Sequence, residues 1–199
     1  MWRKYHIAIG FIEPILGSVA KNEEIYKTWI ASKQEAKGDE GTPEFTEEKS
    51  WTGFYKDEIL GLYVLDYQIK GYFKHVASVM PETLGLLKRS GESVSGRMAR
   101  GRLDDWLFIQ PRRVYLGKMN PDGYIERPIR AETLRGPRIC LGRSDKVDNC
   151  KIEFDVVVLD KCPIDETMMR TWLDYGQMQG MFQWRSGGYG RFGYHLVAV

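Results

Sequence analysis

The sequence predicts an α+β protein: a ferredoxin-like or RRM-like antiparallel sheet with helices on one face and an inserted basic β-hairpin. Three observations lead there. Strand-like and helix-like stretches follow the order strand, helix, strand, helix, several strands, helix, strand. Two segments, Ile69 to Met80 and Met168 to Gly176, carry apolar residues at helical spacing. Between them lies a β-rich, arginine-rich middle containing the turn Asn120-Pro121-Asp122-Gly123.

Taken in order, Trp2 to Phe11 alternates, with Tyr5, Ile7, Ile9 and Phe11 on one side and Lys4, His6 and Gly10 on the other. That is a half-buried first strand, ended by Pro14 and Gly17. Ile25, Tyr26, Trp29 and Ile30 predict a short amphipathic helix over Glu23 to Ala36, and the acidic stretch Gly38 to Ser50 an exposed loop. Leu60 to Leu65 suits a buried strand. Asp66 then stands in the N-cap position of a helix bearing Ile69, Tyr72, Phe73, Val76 and Met80, with Pro81 to Leu87 adding a turn. Gly91, Gly96 and Gly101, set among Arg97 and Arg100, mark Ser90 to Gly101 as a flexible basic loop.

Trp106 to Leu116 reads as a strand interrupted by Pro111, Tyr124 to Arg130 and Pro137 to Leu141 as strands, and Arg143 to Asn149 as a polar turn. The β-branched run Lys151 to Leu159 predicts a central strand. Pro163, Asp165 and Glu166 open a helix with Met168, Trp172, Leu173 and Gly176 on one face, and Phe192 to Val199 closes the chain as a strand. Residues 1–199 are expected to form one domain, with the hairpin inserted at about 106–150.

The 199 residues are 43% hydrophobic and 28% charged, the balance of an ordinary soluble domain. A formal net charge of +2 points to no partner, but its distribution does. Residues 21–58 lean acidic, whereas 88–143 carry an excess of about seven positive charges, mostly arginine. Such asymmetry fits either a nucleic-acid-facing surface or subunits meeting acidic face to basic face. Cys140, Cys150 and Cys162 are odd in number and lack Cys-x-x-Cys spacing, which fits a reduced, cytoplasmic setting without a zinc site. The first residues hold no apolar run long enough for a signal peptide or membrane span. No His-Glu-x-x-His, Walker or Rossmann pattern occurs, so no metal or cofactor is expected.

The chemistry concentrates in Gln183-Trp184-Arg185-Ser186-Gly187-Gly188-Tyr189-Gly190-Arg191-Phe192. Glycines permit close backbone approach, arginines suit phosphate, and aromatic rings give bases a face to stack on. The same stretch also reads as a plain glycine turn between helix and strand. Lys70, near a helix start, is placed to favour an anion, or is a solvated lysine. Arg112, Arg113, Arg127, Arg130, Arg135 and Arg138 flank strand-like segments carrying Tyr115 and Tyr124, the footprint expected for single strands.

Leu62-Tyr63-Val64-Leu65-Asp66-Tyr67-Gln68-Ile69-Lys70-Gly71-Tyr72 resembles the strand, Ser-Ser-Leu-Lys-Gly and helix segment of the RAMP superfamily, the repeat-associated proteins of CRISPR effector complexes. Ile12-Glu13-Pro14-Ile15-Leu16-Gly17-Ser18 is similar to that family's first-strand segment, and Trp184 to Phe192 resembles its C-terminal Gly-rich loop. The matches lie in the family's order and come nearest to the backbone-forming branch and to short RAMP-like proteins of phages and mobile elements. Asp66-Tyr67-Gln68 departs from the usual Pro-Gly-Ser-Ser, and no aspartate aligns with the one that some backbone subunits use for target cleavage.

The resemblance implies a domain that binds single-stranded RNA or DNA and stacks side by side as a homo-oligomer or filament. Contacts are implied from Lys70, Gly71 and Lys74, from Arg185, Gly187, Gly188, Tyr189 and Arg191, and from a thumb-like hairpin over Arg112 to Arg143. Two other readings stay open on the sequence. One is a metal-independent endoribonuclease using His75 or His195 on a shared surface. The other is a CRISPR-subunit mimic that binds protein.

Overall fold

The computed structural model describes residues 1–21, 51–88, 90–133 and 136–199, without the side chains of 129–140. The helix expected over 23–36 and the loop over 38–50 lie outside the described residues. In chain order the strands are β1 (Trp2–Phe11), β2 (Ile15–Leu16), β3 (Val19–Ala20), β4 (Trp51–Gly53), β5 (Tyr55–Asp57) and β6 (Gly61–Leu65). There follow β7 (Leu107–Gln110), β8 (Arg113–Tyr115), β9 (Gly123–Thr133), β10 (Gly136–Val147), β11 (Lys151–Leu159) and β12 (Phe192–Ala198). The helices are α1 (Asp66–Val79), α2 (Gly96–Trp106) and α3 (Glu166–Gln179). Among the described residues these form a mixed α+β protein with three sheets, antiparallel except where β4 joins β10. No described helix is long and apolar enough to cross a membrane.

The largest part of the core lies under a four-stranded sheet in the order β12-β1-β11-β7, each pair antiparallel. Alternation along β1 turns Tyr5, Ile7, Ile9 and Phe11 inward, and the register sets Ile7 between Phe154 and Leu196. α1 meets this core with Ile69, Tyr72, Phe73 and Val76, and α3 with Met169, Trp172 and Leu173. Each large side chain so buried contributes about 1.5–3 kcal/mol. The Tyr72 hydroxyl donates to the Trp172 carbonyl, tying the two helices. Gly176 permits their approach, because a Cβ there would overlap the Tyr72 hydroxyl and the Phe192 ring. Cys150 and Cys162 are free and buried, and burial pushes the Cys150 thiol up to about 12.

Several local expectations need correction. Asp66 is the first residue of α1 and not its cap. Leu65 is the extended N-cap residue, and its N–H donates to the Gln68 side chain at 2.8 Å. Ser90 to Gly101 is not a loop throughout, since α2 begins at Gly96 with Ser95 as its cap and runs to Trp106, inside the expected strand. Its glycines and arginines masked the pattern, and only Ala99 and Leu103 are buried. Gly96 itself sits on α1, where a Cβ would strike the Ser78 carbonyl. Arg143 to Val147, expected as a turn, continues β10, which pairs with β9, β2 and β4.

The hairpin β9–β10 is anchored at its base by a buried carboxylate. Asp145 is 4% exposed and accepts from the Trp51 indole at 2.8 Å and from Lys21. Above it the Arg143 guanidinium lies between the rings of Tyr124, at 3.4 Å, and Trp51, at 4.0 Å. Asp145→Ala leaves the indole N–H and the ammonium without their acceptor. It is expected to cost about 2 kcal/mol, read as a lower midpoint in urea unfolding.

Candidate functional site

The Gly-rich segment follows α3 and is held by backbone on both sides. Met181 N–H donates to the Gly190 carbonyl and Gly190 N–H to the Pro14 carbonyl, both at 2.9 Å, while Ile12 N–H donates to the Arg191 carbonyl at 2.8 Å. The first-strand segment and the Gly-rich loop, separate motifs in the sequence, therefore meet. Gly180 and Gly190 have φ of 82° and 70°, and a Cβ on either would collide with the opposing backbone. Met181 and Trp184 are buried beneath the loop. The plain-turn reading thus accounts for these two glycines.

The outward part of the loop is Arg185 to Tyr189, which opens with a short 3-10 turn and reaches a left-handed Gly188 at φ 86°. Arg185 leans toward the helices. Burial lowers its pKa, an effect that the neighbouring Tyr175 and Tyr72 hydroxyls oppose. The same guanidinium acts on His75 of α1. Burial, then Arg185, then Arg100 of α2 hold that imidazole below its ordinary pKa. His75 packs 6.5 Å from the Tyr175 ring, and its buried Nε2 has no hydrogen-bond partner. Neither Arg185 nor Arg100 makes an ion pair among the described residues. Arg97 and Arg100 line a concavity of about 630 Å³ between α1 and α2. Lys74 and Asp104 line the same concavity, with the carboxylate engaged by Lys74.

Other expected contacts are already engaged by the protein. Lys70 donates to the Asp104 carbonyl at 3.1 Å and lies over Phe108, and Lys74 pairs with the Asp104 carboxylate at 2.7 Å. Arg191 pairs with Glu13 at 2.9 Å. Arg127 stacks on Trp184 at 3.7 Å, bringing the hairpin base onto the Gly-rich loop beside Tyr189. Arg113 lies over Tyr63 in the sheet β5-β6-β8, and the Arg112 carbonyl accepts from Asp66 at the start of α1. Arg135 and the side chains of Arg130 and Arg138 lie outside the described residues. A side chain at Gly71 or Gly188 would meet open space, whereas a Cβ at Gly187 would touch the Tyr189 ring.

Of the expected contacts, the structure brings Arg127 together with the loop residues Trp184 and Tyr189, while Lys70 and Lys74 meet Asp104 and Arg191 meets Glu13. Arg97 and Arg100 were not legible as candidate site residues, because α2 resembles a basic loop in the sequence. Their signal was the i, i+3 spacing of Arg97 and Arg100. His75 and His195 do not share a surface: His75 faces the loop, and His195 stands opposite Ala8 on the sheet face turned from the core.

No family model matches the chain, and no curated protein matches it. A solved structure, the cryo-EM structure of the Type III-B Cmr-beta bound to cognate target RNA, is similar over 100% of this chain at 12% identity, with a TM-score of 0.47. The chain spans 61% of that matched chain's length. Among the described residues, no group of three or more His, Cys, Asp or Glu side chains is placed to hold a metal.

Proposed function

We propose that this protein binds single-stranded nucleic acid through its phosphates, along the track formed by Arg185, His75 and Arg100. One observation carries the reading: among the described residues no carboxylate is paired to Arg185 or Arg100, and both guanidiniums act on the same imidazole, His75. Leaving a partly buried guanidinium unpaired is costly, and an anion from outside would offset that cost. Gly71 and Gly188 leave room for a sugar–phosphate backbone beside the cations. The stacking of Arg127 on Trp184, which seats the hairpin on the loop, supports a thumb-like role for the hairpin.

The sheet order β12-β1-β11-β7, with α1 and α2 in the connection from β1 to β7 and α3 in that from β11 to β12, supports a ferredoxin-like core. Together with the Lys-Gly helix and the Gly-rich loop, it supports reading the chain as a RAMP-type binding domain that lines up in copies along the strand. The test is fluorescence anisotropy with labelled oligo(U) and oligo(dT) of about thirty nucleotides, a length that covers several sites. Binding that weakens with added salt, by about 0.7 logarithmic units per phosphate contact for each tenfold rise in salt, is expected for wild type. Lys70→Ala is expected to change that slope little, because Asp104 already engages Lys70. Salt-independent binding, or none, removes the proposal. Gel filtration with and without oligonucleotide tests the assembly.

A further inference from the structure

We infer a second element of recognition that rests on the reading above: a tyrosine platform on the sheet β5-β6-β8 on which bases of the bound strand stack. Tyr55, Tyr63 and Tyr115 stand directly opposite one another on the three strands. They lie on the face turned away from buried Leu62, Val64 and Val114, and all three remain partly exposed. The Tyr55 and Tyr63 rings are stacked at 5.5 Å with planes 18° apart, and Tyr115 continues the ladder 5.6 Å from Tyr63. Tyr67, from the first turn of α1, extends it through a 3.0 Å contact between its hydroxyl and that of Tyr55, and is 54% exposed.

Cross-strand rings by themselves can serve only to stabilise a sheet. Two further features of this set point outward. The Arg113 guanidinium lies 5.1 Å over the Tyr63 ring, interacts with the Tyr115 hydroxyl and lies 3.5 Å from Asp57, so a planar cation sits on the ladder with its side chain 54% exposed. Arginine planes and aromatic rings are the surfaces on which unpaired bases stack.

The platform is also continuous with the phosphate track. Tyr67, Gly71 and His75 are spaced four residues apart and form one stripe along α1. Eight residues of helix cover about 12 Å, a short step along an extended strand. Gly71, midway, carries no side chain and faces empty space, although glycine inside a helix is unfavourable. A strand whose phosphates meet His75 and Arg185 would therefore pass over Gly71 and bring its next bases to Tyr67 and the ladder.

The test separates bases from backbone by comparing an oligo(dT) with an abasic strand of the same length and charge. Wild type is expected to bind the oligo(dT) about tenfold more tightly, the scale of one or two stacked bases. Tyr67→Ala and Tyr63→Leu are each expected to remove most of that difference while leaving abasic binding unchanged. As a check independent of variant folding, photocrosslinking of wild type to a 5-iodouracil oligonucleotide should label Tyr55, Tyr63, Tyr67 or Tyr115. Equal affinity for the two strands, or crosslinks solely elsewhere, would overturn the platform and leave the phosphate track standing. Failure to bind either strand would overturn both.

Discussion

Replacing Arg185 with glutamate is expected to weaken single-strand binding about a hundredfold, equivalent to about 3 kcal/mol. The variant removes a charge-assisted phosphate contact and adds a repulsive carboxylate in a half-buried place where water screens poorly. Arg100→Glu acts on the same track from α2 and is expected to behave similarly. Because both touch His75 electrostatically, their effects should fall short of additivity in the double variant. Arg191→Glu is the informative contrast. It breaks the Glu13 pair at the strand end and is expected to lower stability while changing affinity much less. Anisotropy titrations at two salt concentrations decide this, and equal losses for Arg185→Glu and Arg191→Glu would refute the assignment of the track.

The same geometry gives a pH dependence of known sign. In the free protein, burial, Arg185 and Arg100 hold the His75 pKa below its ordinary value. The folded chain therefore takes up fewer protons than the unfolded chain as pH falls below about 6.5. Stability from this group declines over that window, down to the folded pKa. A bound phosphate would favour the charged imidazole, so affinity should rise as pH falls through the same window. His75→Gln should flatten both trends.

Trp172→Ala is expected to destabilise the protein by about 4 kcal/mol, seen as a large drop in the urea or thermal midpoint. Trp172 is fully buried, packs on Phe73 and donates its indole N–H to Thr83 at 3.0 Å. Its loss opens a cavity between α1 and α3 and leaves the Thr83 hydroxyl without that donor. Since α3 leads directly into the Gly-rich loop, binding should fall together with stability, unlike in Arg185→Glu, where only binding falls. A shift of under about 1 kcal/mol would mean that the two helices do not share the core described above.

Elements whose pattern is local were legible in the order of the amino acids. The alternation of β1 and the β-branched run of β11 specified the central strands. The helical spacing around Tyr72 and Trp172 specified α1 and α3, and of the residues expected to open α3, Asp165 is its N-cap, with a side chain that accepts from Met168 at 2.8 Å. α2 was not legible because its two glycines and low apolar content resemble a loop until Gly96 is seen packed on the Ser78 carbonyl. The extension of β10 past Arg143 was equally hidden, since polar residues there are stabilised by stacking on Trp51 and Tyr124 and by the buried Asp145.

For the candidate site, the residue types were legible in the sequence, but the partner of each follows from how the chain folds. Lys70, Lys74, Arg127, Arg185 and Arg191 all looked alike as cations beside glycines or aromatics. Folding placed Asp104 beside the first two, Trp184 under the third and Glu13 beside the last, and left Arg185 with His75 and Arg100. The physical reason is that a charge's role depends on which counter-charge shares its low-dielectric surroundings. Those neighbours come from residues far away in the chain, at separations that no local pattern records.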